Sequence, residues 1–200
     1  MSSAQPAHEE RQAPDPYEEH PHGAHPRGEE PNAEGPHVEG PHEVDPHVAE
    51  PHEGPFVPVP DVAGYLAGRW SIERTVRDLR TGTEGRFHGT ADFRPDPAGG
   101  ALLHVEEGEL TWDGTAYPAN RTLRLRPRPD GSAEVDFADG RPFHDLDLGT
   151  GQWNAVHPCA EDRYEGTFTV RSADEWHLEW RVTGPAKRQL LRTRYRRTAG

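Results

Sequence analysis

The sequence predicts an all-β fold: one antiparallel barrel of about eight to ten strands, led by a short helical turn and preceded by a disordered tail. Three observations carry this expectation. Beyond residue 61, apolar residues recur with period two rather than 3.6. Turn signals separate these runs, among them "RTGTEG", "PDPAGG", "WDGT", "RPDGS", "ADGR", "RSADE" and "TGPAK". The first 55 residues, by contrast, have almost nothing apolar to bury.

The tail spans residues 1–55 and has a proline at every fifth position from Pro16 to Pro51. Each proline fixes φ, removes a donor and pushes its predecessor toward extended geometry, so helix and sheet are both unavailable. Disorder with a polyproline II bias follows. Thirteen acidic residues face only Arg11 and Arg27 there, a net of −11 out of −13 for the chain; residues 56–200 hold 22 acids and 20 bases, a net of −2. His37, His42, His47 and His52 alternate with carboxylates and could hold a divalent metal weakly. A polyproline helix has about three residues per turn, so a five-residue step turns successive imidazoles apart and no preformed site results.

Residues 56–61, "FVPVPD", read as a linker, and 62–198 as the barrel domain. In "DVAGYLAGRW" Asp61 can cap a helical turn that carries Val62 and Leu66 and that Gly68 can end. The clearest strand is "EWHLEWRVTG", where Trp176, Leu178, Trp180 and Val182 share one face. The same alternation joins Trp70, Ile72 and Val76; Phe87, Ala91 and Phe93; and Tyr117, Leu123 and Leu125. Further on it joins Val135 and Phe137; Tyr164, Phe168 and Val170; and Leu191 and Tyr195. Closure into a barrel is expected because it removes exposed sheet edges.

Gly68-Arg69-Trp70, behind a helical turn, resembles the G-x-W signature of lipocalin-like (calycin) barrels. That resemblance implies that the Trp closes one barrel end beneath a basic side chain of the last strand, for which "QLLRTRYRR" offers Arg192, Arg194 and Arg196. Residues 62–197 also resemble a bacterial family of small calycin-like domains of unknown function, through "LAGRWSIERTVRD", "FADGRPFHDL", "HPCAEDRYEG" and "WRVTGPAKRQLLRTRYRR". The resemblance implies a barrel and assigns no reaction. The Arg-x-Tyr clamp of fatty-acid-binding barrels is not matched, since Arg194 and Tyr195 are adjacent.

Strand phase places Arg74 with Trp70, Ile72 and Val76, and Arg121 with Tyr117, Leu123 and Leu125. If those faces line the interior, two guanidinium groups need anionic partners, and Glu106, Asp162 or a ligand's acidic head could serve. Lys187 stands alone against 21 arginines, which would suit a place that needs a compact ammonium.

The stretch "DGRPFHDLDLGTGQWNAVHPCAEDRY" gathers Arg141, His144, His157, Cys159, Asp162 and Tyr164. As an enzyme, Cys159 would be nucleophile, His157 or His144 base and Asp162 its orienting partner. As a metal or haem site, His144, His157 and Cys159 would supply ligands for Zn or haem iron, although no tight zinc spacing is present. As a polar barrel mouth, Arg141 would pair with Asp162 or Asp145 and the Tyr164 hydroxyl would cap the network.

The reading the sequence supports best is non-enzymatic binding of a small, partly apolar, anionic ligand inside the barrel. Arg74, Arg121, Arg141, His144, His157, Tyr164 and Lys187 are the expected contacts, and no cofactor is expected. A near-neutral barrel behind an acidic tail has no electrostatic footprint for nucleic acid. One cysteine excludes an internal disulfide framework. With neither a basic-then-apolar opening nor a long apolar run, the expectation is no membrane span and a cytoplasmic location.

Overall fold

The computed structural model describes residues 55–198; the proline-rich repeat, with His37, His42, His47 and His52, lies outside the described residues. One short helix, α1 (Val62–Leu66), precedes ten strands: β1 (Gly68–Asp78), β2 (Glu84–Pro95), β3 (Leu102–Trp112), β4 (Thr115–Pro127), β5 (Ala133–Phe137), β6 (Pro142–Leu146), β7 (Gln152–Cys159), β8 (Asp162–Ser172), β9 (Glu175–Thr183) and β10 (Arg188–Arg197). All pairings are antiparallel and run in the order β6-β5-β4-β3-β2-β1-β10-β9-β8-β7, so that β1 meets β10 and the sheet curls into a nearly closed barrel.

The apolar alternation sets which face turns inward. Trp70, Ile72, Phe93, Leu125, Phe168, Trp176, Trp180 and Leu191 are all buried. Strands β2 and β3 approach most closely where side chains are missing. Gly89 of β2 faces Gly108 of β3, and a Cβ on either would lie within 2.3 Å of a partner-strand backbone oxygen. The Phe87 ring fills the space both glycines leave, a device that lets two strands bend without opening the core.

The remaining gap lies between β6 and β7. Across it the Trp153 indole of β7 donates to the Asp145 carbonyl of β6 at 3.0 Å. The segment read as a linker also docks on the barrel: the Val57 amide donates to the Val170 carbonyl at 3.1 Å and the Val59 amide to Leu148 at 2.8 Å, with Val59 buried. Helix α1 is capped as expected, the Asp61 carboxylate accepting from the Gly64 amide at 3.0 Å. It is tied to the β4–β5 turn by the Val62 amide donating to Gly131. Only glycine suits position 131, where φ is +87° and a Cβ would meet the Pro60 carbonyl oxygen at 1.9 Å.

At this end the Trp70 indole donates to the Leu66 carbonyl at 2.8 Å, and a basic side chain of the last strand covers its ring. That side chain is Arg197, its guanidinium carbon 4.1 Å from the ring centroid, and not Arg192, Arg194 or Arg196. The reason is strand parity. Arg197 has the same phase as the inward Leu191, Thr193 and Tyr195. The three even-numbered arginines turn outward to pair with Glu179, Glu73 and Glu175. Arg197 also donates to the carbonyls of Ala67, at 3.0 Å, and Tyr65, at 2.7 Å, so one side chain binds α1 to the barrel floor.

Replacing Arg197 by Ala should therefore cost about 1–3 kcal/mol through the lost stacking and carbonyl bonds. Thermal unfolding checks this, at about 2–4 °C per kcal/mol for a domain of this size. Arg194→Ala, which removes an exposed pair, should change stability by under about 0.5 kcal/mol.

Candidate ligand recess and its buried ion cluster

Strand β3 carries polar residues on its inward face. The Glu106 carboxylate is 2% exposed and accepts from Arg74 Nη2 at 2.9 and 3.0 Å, from Arg121 Nη2 at 2.9 Å and from the Tyr195 hydroxyl at 2.6 Å. Arg74 Nη2 donates in addition to the Tyr195 hydroxyl oxygen at 3.1 Å, and its Nε to Thr193 Oγ1 at 2.8 Å. His104 is stacked on Phe93 with centroids 4.1 Å apart, its Nε2 3.2 Å from Glu106 but outside hydrogen-bond alignment.

Burial alone would lift the Glu106 carboxyl, but Arg121 and Arg74 outweigh it and hold it well below the usual carboxylate range. Burial depresses His104, so its imidazole is neutral. Burial likewise pushes the Tyr195 phenol up, so it remains a donor. Two guanidinium groups thus share one carboxylate in the barrel interior.

Arg121 is also one wall of a recess whose other walls are mainly apolar: Leu66, Phe93, Leu123, Leu125, Val135, Phe143, Leu146, Phe168, Trp176, Leu178 and Trp180, together with His104 and His144. The space that water-sized molecules can occupy measures about 30 Å³, room for one or two waters; counted through every gap to the open mouth it measures about 420 Å³.

His144 reaches this wall through a bulge. Val135 pairs with His144 but Asp136 with Pro142, leaving Phe143 as an extra residue in β6. Phe143 is buried and stacks on Trp180 with centroids 5.4 Å apart, while His144 lies 5.2 Å from Phe168 and 5.6 Å from Trp180. Burial drives the His144 pKa down to about 4, against an opposing hydrogen bond to the Asp145 backbone.

Of the residues singled out from sequence, Arg121 and His144 line the recess, and Arg74 stands behind it through Glu106. His157 of β7 packs against Phe143 at 4.9 Å and Phe137 at 5.6 Å, one layer further along, opposite Tyr164 in the ladder. Arg141 stays on the surface, paired within its own turn to Asp139 at 2.8 Å, where the sequence points to Asp162 or Asp145.

Asp162 instead pairs with Lys187 at 3.1 Å, and Tyr164 hydrogen-bonds to Lys187 as well. Burial alone would lower the Lys187 ammonium, but Asp162 and Tyr164 raise it on balance, so it is a cation locked in a surface network. Cys159, half-buried and in no disulfide, lies opposite Asp162 in the β7–β8 hairpin. Among the described residues no three His, Cys, Asp or Glu side chains converge as metal ligands would, and His144, His157 and Cys159 form no such set. Sequence reasoning missed His104 and Trp176 as recess residues. Trp176 has an apolar phase that looks like plain core, and His104 sits on a strand without an apolar rhythm.

Glu106→Gln should destabilise the fold by about 3–5 kcal/mol, since it leaves two buried guanidinium groups without their carboxylate; denaturant unfolding measures it. Acid should weaken the fold earlier than carboxylates alone would. An unfolded His takes up a proton near pH 6.5 whereas native His144 resists until about 4, so the unfolded state binds more protons across that window. The stability His144 provides is complete above about pH 6.5 and lost as pH falls toward 4, with His104 acting in the same direction. Thermal midpoints at pH 7 and 4.5 should differ, and by less in His144→Phe.

No curated protein matches the sequence. Among solved structures, an S-type phycobiliprotein lyase from Guillardia theta superposes with a TM-score of 0.52 at 8% identity, over 69% of this chain and 91% of that one. A de novo designed fluorescence-activating barrel gives a TM-score of 0.39 at 20% identity, over 69% and 98%. A protein of unknown function from the DUF3598 family of Nostoc punctiforme gives 0.39 at 10%, over 72% and 51%. The first likeness agrees with the lipocalin-like barrel that the G-x-W stretch resembles. Residues 66–197, nearly the whole barrel, match one family throughout, and the chain belongs to that family of unknown function, DUF6314.

Proposed function

We propose that the barrel binds a small, partly apolar, anionic molecule in the recess and does not transform it. The observation that carries this reading is the Arg121 guanidinium at the polar end of an aromatic-walled recess, sharing Glu106 with a second guanidinium. Apolar walls with a few convergent polar groups are the usual composition of a small-molecule site. A cation already desolvated by the fold attracts an anionic head group without a new desolvation cost of its own.

Occupancy requires the walls to yield, because the recess has room for only one or two waters. The side chains placed to yield are Phe143 and His144, on a short bulged strand beside the β6–β7 gap rather than within a continuous ladder.

The test is titration of the full chain with benzoate and with benzamide, equal in size but differing in charge, followed by the fluorescence of Trp176 and Trp180. Benzoate should bind at least about tenfold more tightly, as expected for a charge-assisted contact, and Arg121→Met should remove most of that margin. Equal affinities would overturn the anionic reading, and absence of binding by both would overturn the ligand-binding reading.

A further inference from the structure

The Asp145 carbonyl that receives the Trp153 indole across the β6–β7 gap also lies 2.7 Å from His144 Nδ1. A carbonyl only accepts, so Nδ1 carries the hydrogen. The ring is neutral, since burial holds it down to about 4, and its Nε2 is therefore a bare lone pair. His144 lines the recess, and the hydrogen bond its ring makes is the one at Nδ1 to the Asp145 carbonyl. The backbone at the gap thus selects the tautomer that leaves Nε2 as an acceptor.

A side chain that carries a donor lines the same recess. The Trp176 ring lies flat on Tyr195, with centroids 3.7 Å apart and planes within 3°, and meets Trp70 edge-on at 6.3 Å. These contacts fix its orientation. Trp176 is 4% exposed, and its Nε1–H is buried with no acceptor among the described residues. A buried N–H left without a partner is an energetic liability that a fold seldom keeps without reason.

We infer that the recess is built for an aromatic acid that carries its own hydroxyl or N–H: the ligand's donor meets His144 Nε2 and one of its acceptor oxygens meets the Trp176 indole N–H. This rests on the ligand-binding reading above and narrows it to a chemical class. The aromatic character follows from the walls, where Phe93, Phe143, Phe168 and Trp180 line the same recess as His144 and Trp176. An isostere that lacks the donor leaves the imidazole lone pair buried and unmatched, and the site rejects it.

The probes are benzoate, 4-hydroxybenzoate and 4-methoxybenzoate, which share the carboxylate and differ in the donor. On the full chain, 4-hydroxybenzoate should bind about fivefold or more tightly than either of the others, the worth of one hydrogen bond of about 1 kcal/mol. In His144→Phe that preference should vanish. In wild-type protein the His144 ring nitrogen and the Trp176 indole N–H should both show NMR shifts of hydrogen-bond formation with 4-hydroxybenzoate. The His144 shift should be absent with 4-methoxybenzoate, a readout that needs no variant to fold. Equal affinities for the hydroxy and methoxy acids, or a preference that survives in His144→Phe, would overturn this inference and leave the anion-binding reading standing. If none of the three acids binds, the ligand-binding reading fails, and this inference with it.

Discussion

A single carboxylate in the barrel interior constrains much of what surrounds it. Glu106 is almost wholly buried, and an ion in that position costs several kcal/mol unless matched. Its match comes from three other strands at once: Arg74 on β1, Arg121 on β4 and Tyr195 on β10. The cluster therefore links both sides of the β1–β10 contact that helps curl the sheet. It also brings Arg121 to the recess, so a structural necessity and a candidate binding group are the same side chain. Arg74 has three further anchors in Thr193, Tyr195 and the Phe87 ring, which leaves Arg121 as the guanidinium directed toward the interior space.

The barrel is asymmetric in rigidity for a related reason. Between β1 and β10 the ladder is long and Arg197 adds a stacked contact over Trp70 and two short bonds to the helix carbonyls. Between β6 and β7 there is no ladder among the described residues, and the two are joined by the Trp153 bond to Asp145, the packing of His157 on Phe143 and the docked segment at Val57 and Val59. Edges left by short strands are where bulges concentrate, and here the bulge turns Phe143 and His144 toward the recess. One carbonyl, Asp145, serves both features, holding the gap and setting the imidazole tautomer. A closed, stiff side and a loosely joined side with chemistry next to it suit a site that must admit a molecule larger than its resting volume.

Much of the fold was legible in the sequence, and the places where it was not are informative. Strands β1, β2, β4, β5, β8, β9 and β10 follow the period-two rhythm of buried apolar residues. Strand β3 escapes it because His104, Glu106 and Gly108 occupy its inward positions, a polar pair and a glycine where the rhythm needs apolar side chains. Strand β6 escapes it because the bulge breaks the alternation at Phe143. Both strands contribute to the recess, His104 from β3 and Phe143, His144 and Leu146 from β6, beside walls supplied by the legible strands β2, β4, β5, β8 and β9. The candidate site was legible in the same partial way. Arg74 and Arg121 emerged from strand phase, with Glu106 as one possible partner, whereas Lys187 and Arg141 belong to surface networks with Asp162 and Asp139.

The sequence by itself determined the antiparallel barrel, the capped turn before Trp70 and the inward phase of two arginines. These follow from local periodicity and capping chemistry, which need only neighbours in the chain. Which arginine covers Trp70 and which acid neutralises the interior cations were decided only by tertiary structure. Each depends on groups far apart in sequence: Arg197 meets Trp70 across 127 positions and Tyr195 meets Glu106 across 89. No local pattern encodes such a meeting, because it arises from the order in which the strands pair.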